Sequence, residues 1–519
     1  MVAGVARGYP VVMRSSSSST TSLWLDRPEP VPDEPLPLGV DLDDVVVGAG
    51  ITGLTTALLL ARSGRRVAVL EAGVVGSLAT GNSTAKVSLL QGTKLSRMLG
   101  YQSERVVSAY VDGNLEGQQW LLRFCTDHGV PFQVRDAVTY ASAPEQRTAL
   151  DEELRASRAV GLDTHAVRDL DVPFPQFGGV VLPEQAQLDP MDLLTALVGQ
   201  IRSHGGTVHQ GRRVVGVSLR GRRTVALEDG TTVEADRVVL ATGSPILDRG
   251  LYFAKLEPLR SYAVAFDVPA TQVPDGMFLS AGSPSRSVRD APTTAVGGRR
   301  LLVGGNGHGV GRTSSERAQV DDLRAWTAEH FPGAVETHAW SAQDYRSHDS
   351  FPYVGALPRG GGRLFVATGF DKWGMASGVM AARSIAAQIL GDQPSWQKVM
   401  SRRVTRPAGI VHAARMNASV GLAAVGSALA AERRAAPQHP PEGQGAVGRR
   451  GVVPVGVSTT DGVTCAVRAV CTHLGGVLSW NDNERSWDCP LHGSRFTADG
   501  TVIEGPAVRD LGPATTQEE

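Results

Sequence analysis

The glycine-rich turn near the start of the chain constrains the fold more than any other feature. Residues 45–47 are three valines that form a predicted strand, and Gly-Ala-Gly-Ile-Thr-Gly follows at 48–53 in the pattern G-x-G-x-x-G. An apolar helix is predicted over 54–61, and a second apolar strand over 66–70 ends at Glu71. Strand, turn, helix and strand in this order predict a βαβ unit, which belongs to a parallel sheet covered by helices.

This turn predicts a dinucleotide site. Gly48 permits the tight turn, Gly50 lets the backbone approach a pyrophosphate at the helix N-terminus, and Gly53 allows the helix to pack closely on the strand. Glu71 lies eighteen residues after Gly53 and can accept hydrogen bonds from ribose hydroxyls. The alternative is a glycine-rich turn that binds nothing, and the complete strand–helix–strand context favours the nucleotide. The predicted contacts of this unit are Gly48, Gly50, Ile51, Thr52, Gly53, Glu71 and Ala72.

Three further segments point to a flavin. Thr-Gly-Asn-Ser-Thr-Ala-Lys occupies 80–86, Ala-Thr-Gly follows a predicted strand at 241–243, and Thr-Gly-Phe-Asp-Lys-Trp-Gly-Met at 368–375 leads into a predicted helix over 374–390. Together with the glycine turn, these segments resemble the D-amino-acid oxidase-like superfamily of FAD-dependent oxidoreductases, over about residues 40–395. The resemblance implies further flavin contacts at Thr84, Ala85, Lys86, Thr242, Gly243, Gly369, Lys372, Trp373, Gly374 and Met375. Because the two loops that cover the flavin contain neither His nor Cys, we expect the FAD to be non-covalent.

Near the C-terminus, two cysteines and two histidines have the spacing C-x-H…C-x-x-H. They are Cys471, His473, Cys489 and His492. Two thiolates for one iron and two imidazoles for the other suit a Rieske-type 2Fe-2S cluster, and a Cys₂His₂ zinc site is the alternative. The flanking residues Cys-Thr-His-Leu-Gly-Gly and Cys-Pro-Leu-His-Gly-Ser resemble the Rieske family, which implies that all four side chains are cluster ligands.

The chain departs from the respiratory and photosynthetic Rieske pattern at three positions. The disulfide that joins the two cluster loops in that pattern would fall at Gly476 and Leu491, so we expect packing alone to hold the loops. The position of a tyrosine that donates to a cluster thiolate is Phe496, which leaves Ser494 as the expected donor. Fewer donors predict a potential in the lower part of the Rieske range.

The amino-acid composition argues against several other classes of protein. Lys and Arg number 51 against 52 Asp and Glu, which argues against a nucleic-acid binder because there is no basic excess. Four cysteines in 519 residues exclude a disulfide-stapled secreted scaffold, and we expect a cytoplasmic protein. No apolar run is long enough for a membrane span.

The sequence divides into four predicted parts. They are a disordered or extended segment over 1–40, an FAD-dependent oxidoreductase over 41–395, a helix and linker over 396–445, and a Rieske 2Fe-2S domain over 446–519. The FAD-binding parts are expected at about 41–90, 190–250 and 350–395, and the substrate-domain parts at about 91–189 and 251–349. The predicted fold class is an α/β Rossmann-like FAD-binding domain with an α+β substrate domain, plus a small all-β Rieske domain.

The two resemblances imply a function. A small amine or amino-acid-like substrate is oxidised by two electrons, and the cluster passes single electrons to an external carrier. Candidate catalytic residues are Lys372, His348 and Tyr262, with Asp349, Arg260 and Tyr345 as further residues that could lie near the flavin; a structural role is the alternative for each. The alternative functions are a redox sensor or electron-transfer module without a substrate, and a Rieske-dependent oxygenase component, which needs two His and one carboxylate on a separate iron.

Overall fold

The computed structural model describes residues 13–36, 39–218, 221–292, 298–404, 406–451 and 453–514. Its helices are α1 (Ile51–Arg62), α2 (Lys94–Tyr101), α3 (Glu104–Asp127), α4 (Arg147–Ala159), α5 (Pro190–Ser203), α6 (Glu316–His330), α7 (Gly374–Leu390), α8 (Ser395–Ser401) and α9 (Pro407–Glu432). Its strands are β1 (Met13–Ser19), β2 (Leu42–Val47), β3 (Val67–Leu70), β4 (Lys86–Val87), β5 (Phe132–Tyr140), β6 (His165–Val167), β7 (Gly179–Leu188), β8 (Thr207–His209), β9 (Val214–Val217), β10 (Arg223–Leu227), β11 (Thr232–Leu240), β12 (Leu256–Pro269), β13 (Met277–Ser280), β14 (Arg286–Ala291), β15 (Gly298–Gly309), β16 (Val335–Ser347), β17 (Tyr353–Ala356), β18 (Leu364–Thr368), β19 (Gly445–Arg450), β20 (Val453–Thr460), β21 (Val463–Arg468), β22 (Ser479–Asn481), β23 (Ser486–Asp488), β24 (Arg495–Phe496) and β25 (Val502–Glu504).

The first sheet, which we call the parallel sheet, contains the predicted βαβ unit. Its strands follow the order β17-β18-β11-β2-β3-β8, and β10 and β9 extend it from β11. Strands β8, β3, β2, β11 and β18 run parallel, and β17 is antiparallel to β18. Strand β3 is buried along its whole length, as expected for a parallel strand that is covered by helices on both faces. Helix α1 packs against α5 and α7.

The second sheet, which we call the large sheet, lies beside the parallel sheet and is mainly antiparallel. Its strand order is β1-β16-β12-β15-β14-β13-β5-β7-β4, with β6 paired to β7. The long strands β16, β12 and β15 lie side by side next to β1, and α6 packs on β12 and β15. Two small antiparallel sheets, β19-β20-β21 and β22-β23-β24-β25, follow α9. The predicted fold class, a Rossmann-like unit with an α+β partner and a small all-β domain, is confirmed.

The described part of the N-terminal segment runs as an extended chain that is anchored on the rest of the protein. Strand β1 pairs in parallel with β16, and Trp24, only 2% exposed, donates its indole N–H to the carbonyl of Ser83 at 2.7 Å. Arg27 forms an ion pair with Asp189 at 2.9 Å. The serine and proline content of this segment predicts a disordered or extended chain. Composition alone does not reveal that a few side chains, such as those of Trp24 and Arg27, bind the segment to the rest of the protein. Residues 1–12 lie outside the described residues.

Helix α9 follows α8 in the chain and leads into the two C-terminal sheets. It is apolar for much of its length and carries several exposed aliphatic side chains, among them Leu422 and Val425. Over the described ranges, no helix is both long enough and apolar enough to cross a membrane.

Candidate flavin cavity and iron–sulfur centre

A cavity of about 680 Å³ lies where the C-terminal ends of β2, β3 and β11 meet the large sheet. Its volume is within the range of cofactor and substrate sites. Most of the predicted flavin contacts line it: Gly48, Gly50, Ile51, Thr52, Glu71, Ala72, Thr84, Lys86, Thr242, Gly243, Lys372, Trp373, Gly374 and Met375. The other predicted contacts, Gly53, Ala85 and Gly369, do not line the cavity themselves but belong to the segments that contribute lining residues.

The glycine turn has the geometry that a bound pyrophosphate requires. Gly48 has a φ of +105°, and a Cβ there would lie 2.5 Å from the carbonyl oxygen of Ala241. A Cβ on Gly53 would lie 1.9 Å from the carbonyl oxygen of Gly48, so only glycine lets α1 approach β2 this closely. A Cβ on Gly50 would approach the hydroxyl of Thr80 to 3.1 Å, and this hydroxyl accepts a hydrogen bond from the N–H of Ile51. The turn is therefore a cradle that side chains would fill.

Glu71 holds the backbone around this cradle. Its carboxylate accepts hydrogen bonds from the N–H groups of Ala49 at 2.8 Å and Gly73 at 2.9 Å. Burial raises the pKa of the carboxyl, and these backbone donors partly oppose that effect. Glu71 also lines the cavity, as its predicted role as a ribose partner requires.

Lys86 enters the cavity wall from the opposite side, on the large sheet. Its ammonium group donates to the carbonyl of Phe278 at 2.8 Å and to the hydroxyl of Ser287 at 2.7 Å. Desolvation, followed by the nearby charge of Arg289, lowers the pKa of Lys86 to about 7. This lysine can therefore exist in both protonation states near neutral pH.

The loop before α7 projects a lysine into the same cavity. Asp371 and Lys372 both have positive φ, at 54° and 70°, and the N–H of Lys372 donates to the carboxylate of Asp344 at 2.5 Å. The ammonium group of Lys372 donates to the hydroxyl of Ser261 on β12 at 2.5 Å, and burial lowers the pKa of Lys372.

Asp344, on β16, lines the cavity, and desolvation raises the pKa of its carboxyl to about 6. No motif in the sequence marks Asp344, because a strand pattern gives only the face on which a residue lies.

Of the other catalytic candidates, only Tyr262 lines the cavity; its hydroxyl lies 2.9 Å from Nε2 of His308. His348 does not line the cavity; its Nδ1 lies 2.8 Å from the Tyr353 hydroxyl. Its neighbour Asp349 pairs with Arg403 at 3.1 Å.

Arg260 and Tyr345 also lie outside the cavity lining, because both face the C-terminal sheets. Arg260 is fully buried and pairs with Glu484 at 3.0 Å and Asp488 at 3.2 Å. The hydroxyl of Tyr345 donates to the carbonyl of Gly505 at 3.2 Å. On sequence grounds, Arg260 and Tyr345 are residues that could lie near the flavin. In the structure, the contacts given above join them to the Rieske domain.

The four predicted cluster ligands lie together in two pairs. The thiol of Cys489 forms a hydrogen bond with Cys471, which lowers the pKa of the Cys471 thiol, and both side chains are almost completely buried. The rings of His473 and His492 are 5.2 Å apart between centroids and nearly perpendicular. A pair of thiols beside a pair of imidazoles matches the donor set of a binuclear cluster.

The environment of His473 fits a bound iron. Its Nδ1 is buried and has no hydrogen-bond partner, whereas its Nε2 lies 2.8 Å from the carboxylate of Asp248 on the loop after β11. Metal-bound imidazoles use one nitrogen for the metal and the other for a carboxylate of this kind. Among the residues that the structure describes, no three His, Cys, Asp or Glu side chains converge on one ion.

Packing takes the place of the disulfide between the cluster loops. A Cβ on Gly476 would lie 2.9 Å from the Leu491 side chain and 3.2 Å from the sulfur of Cys489, so the two loops are in direct contact. Phe496 is fully buried. The hydroxyl of Ser494 is one of the groups that lower the pKa of Cys471, and it accepts a hydrogen bond from the N–H of Ala507 at 3.0 Å. Ser494 is thus placed as the sequence predicts for the donor to sulfur.

The fold and these two sites define a flavoprotein fused to an iron–sulfur domain. The family model described as FAD dependent oxidoreductase (DAO) matches residues 43–388, and the model of the Rieske 2Fe-2S domain matches residues 433–514. The chain therefore belongs to the DAO family of FAD-dependent oxidoreductases and carries a C-terminal Rieske domain. Its cofactors are FAD and a Rieske 2Fe-2S cluster, and the resemblances drawn from the motifs are confirmed.

Individual relatives agree with this assignment. The Rieske 2Fe-2S iron-sulfur protein YhfW of Bacillus subtilis (strain 168) is 28% identical over 480 residues, which cover 91% of this chain and 93% of that protein. The cytochrome b6-f complex iron-sulfur subunit of Synechococcus sp. (strain JA-3-3Ab) is 56% identical over 45 residues, which cover 9% of this chain and 26% of that subunit.

Solved structures share the fold of the larger part. L-proline dehydrogenase from P. horikoshii superposes with a TM-score of 0.57 at 17% identity and covers 69% of this chain and 96% of its own. Glycine oxidase from Geobacillus kaustophilus gives a TM-score of 0.56 at 19% identity and covers 68% of this chain and 96% of its own. The L-amino acid deaminase from Proteus vulgaris gives a TM-score of 0.56 at 15% identity and covers 72% of this chain and 99% of its own.

We predict that Gly50→Val abolishes FAD binding and leaves the cluster in place. The new side chain would press on Thr80 and occupy the space through which the pyrophosphate reaches the N-terminus of α1. Flavin content and the cluster EPR signal of the purified variant are the measurements. Gly199→Val is the matched control, because a Cβ on Gly199 in α5 meets nothing within 4 Å. Normal FAD content in the Gly50 variant would contradict the assignment of this turn.

We also predict that Ser494→Ala lowers the midpoint potential of the cluster. A hydrogen bond to a thiolate stabilises the more negative, reduced cluster, and a charge-assisted bond of this kind corresponds to roughly 50–100 mV for one electron. An EPR-monitored redox titration measures the shift. Ser458→Ala is the control, since Ser458 is buried in the same domain but its hydroxyl has no hydrogen-bond partner. Equal midpoints in wild type and the Ser494 variant would show that Ser494 does not donate to the cluster.

Proposed function

We propose that this protein oxidises a small amine or amino-acid-like molecule by two electrons and delivers these electrons one at a time, through its Rieske cluster, to an external carrier. The observation that carries the proposal is that one cavity is bordered by the nucleotide turn, by polar side chains of the large sheet and by residues of the Rieske domain. When bound, FAD supplies hydride acceptance and the cluster supplies one-electron transfer. The fold neighbours named above include enzymes that are named for amino-acid substrates, which supports this class.

The proposed cofactor sites use the residues described above. The turn Gly48, Gly50 and Gly53 with Glu71 holds the nucleotide, and Thr84 to Lys86, Thr242, Gly243 and the loop from Gly369 to Met375 hold the rest of the flavin. Cys471 and Cys489 bind one iron of the cluster, and His473 and His492 bind the other. The proposed part boundaries are those predicted from the sequence, with the oxidoreductase over 41–395 and the Rieske domain over 446–519. None of the four cysteines, all of which the structure describes, is in a disulfide, which supports a location in the cytoplasm.

The polar groups of the cavity suit an amino-acid-like substrate. Lys372 offers a cation to a substrate carboxylate, and Tyr262 offers a hydroxyl. We propose that Asp344 binds the substrate amine or takes up its proton, because a carboxyl with a pKa of about 6 is ionised at neutral pH and can still be protonated. A sensor or a pure electron-transfer module has no use for such groups beside the flavin turn.

The test is anaerobic mixing of the holoprotein with a panel of amines and amino acids, while flavin absorbance and the cluster EPR signal are followed together. We expect one class of compound to bleach the flavin and to reduce the cluster. In His492→Ala the cluster signal should be absent, and electrons should no longer reach an added one-electron acceptor, because the iron loses a ligand.

His439→Ala is the matched control, since His439 is an exposed histidine outside the cluster loops, and it should behave as wild type. A panel in which no compound bleaches the flavin would reject the substrate class. Normal electron delivery by the His492 variant would reject the role of the cluster.

A further inference from the structure

A short segment of the Rieske domain forms part of the cavity wall. This segment, residues 502–508, is called the wall segment, and it comprises β25 and the turn that follows it. Its residues that line the cavity are Val502, Ile503, Glu504, Gly505, Ala507 and Val508. Glu504 and Ala507 are buried, at 5% and 2% exposed, so this segment is packed between the two parts of the protein.

Two residues of the oxidoreductase part hold the wall segment directly. Arg213, which itself lines the cavity, donates from its guanidinium to the carbonyl of Val502 at 2.8 Å. Tyr345 on β16 donates from its hydroxyl to the carbonyl of Gly505. The start and the middle of the segment are therefore bonded to residues from outside the Rieske domain.

A buried ion pair holds the rest of the Rieske domain in the same position. Arg260 of β12 has no exposed side-chain surface, and its partners Glu484 and Asp488 belong to the Rieske domain. If the domain moved away, the buried guanidinium of Arg260 would lose both of its acidic partners, which is unfavourable, whereas Glu484 and Asp488 would keep Arg495.

A third contact joins the domain to α6. The carboxylate of Asp482 accepts hydrogen bonds from the Ser315 hydroxyl at 2.7 Å and from the N–H groups of Glu316 at 2.9 Å and Arg317 at 3.0 Å. A carboxylate at a helix N-terminus is stabilised by these free donors and by the helix dipole. Asp482 therefore fixes the domain at a point outside the cavity lining and outside the cluster loops.

We propose that the Rieske domain is a fixed wall of the flavin site, in which the wall segment contacts FAD directly and the contacts of Arg260 and Asp482 keep it there. The wall segment is also bonded to a cluster loop, because the N–H of Ala507 donates to the hydroxyl of Ser494 at 3.0 Å, and the carbonyl of Ser494 accepts from the N–H of Cys489 at 2.8 Å. The cluster ligands therefore keep one position relative to the cavity. This inference rests on the proposed location of FAD in the cavity.

Hydrogen–deuterium exchange tests the contact. The holoprotein is compared with protein from which only the flavin has been removed, and FAD is the added probe. We expect the amides of 48–54 and of the wall segment to exchange about tenfold or more slowly with FAD bound. Slower exchange in 48–54 alone would overturn the inference and leave the proposed function standing. Unchanged exchange in both would show that FAD does not bind in this cavity, which would overturn both.

Asp482→Ala tests the anchoring. Losing the bonds to α6 should speed exchange in the wall segment and raise the FAD dissociation constant roughly threefold to tenfold, with an unchanged cluster EPR signal. Asp461→Ala is the matched control, since Asp461 pairs only within the Rieske domain, with Arg485, and it should leave FAD affinity unchanged. Flavin fluorescence during titration measures the affinity. Unchanged FAD affinity in the Asp482 variant would overturn the inference.

Discussion

The buried guanidinium of Arg260 is the contact on which the arrangement of this protein depends. Burial disfavours its charge, but the carboxylates of Asp488 and Glu484 outweigh that effect and raise the pKa of Arg260 above its ordinary value. The same guanidinium holds the pKa of Asp488 below its usual range against burial. A charge group of this kind is stable only when all its members are present, so the substrate-side strand β12 and the Rieske domain must be packed together.

This packing gives the cavity three walls of different origin. The parallel sheet supplies the glycine cradle and Glu71, the large sheet supplies Lys86 and Asp344, and the Rieske domain supplies the wall segment. Electron transfer between two cofactors requires that they lie close together. In the proposed arrangement the interface keeps the cluster loops beside the cavity, because Ala507 lines the cavity and donates its N–H to the hydroxyl of Ser494.

The sequence predicted the features that are local and missed those that depend on distant residues. The glycine turn, the loop before α7 and the four cluster ligands each lie within a short stretch of chain whose spacing reflects its chemistry. Arg260 and Glu484 are separated by 224 residues, and nothing in the sequence near either one indicates the other. Asp344 is a single acidic residue in a strand, and only the fold shows that it faces the cavity. His348 lies outside the cavity lining, because closeness in sequence to the flavin loops does not decide which way a side chain points.

The most direct test of the account is whether electrons pass from flavin to cluster within one chain. The holoprotein is reduced anaerobically with substrate in a stopped-flow instrument, and the rate of cluster reduction is measured over a range of protein concentrations at saturating substrate. A fixed interface predicts a rate constant that does not change with protein concentration, because no encounter between molecules is needed. A rate that rises in proportion to protein concentration would mean that electrons pass between chains, and it would contradict a Rieske domain that is held against its own flavin cavity.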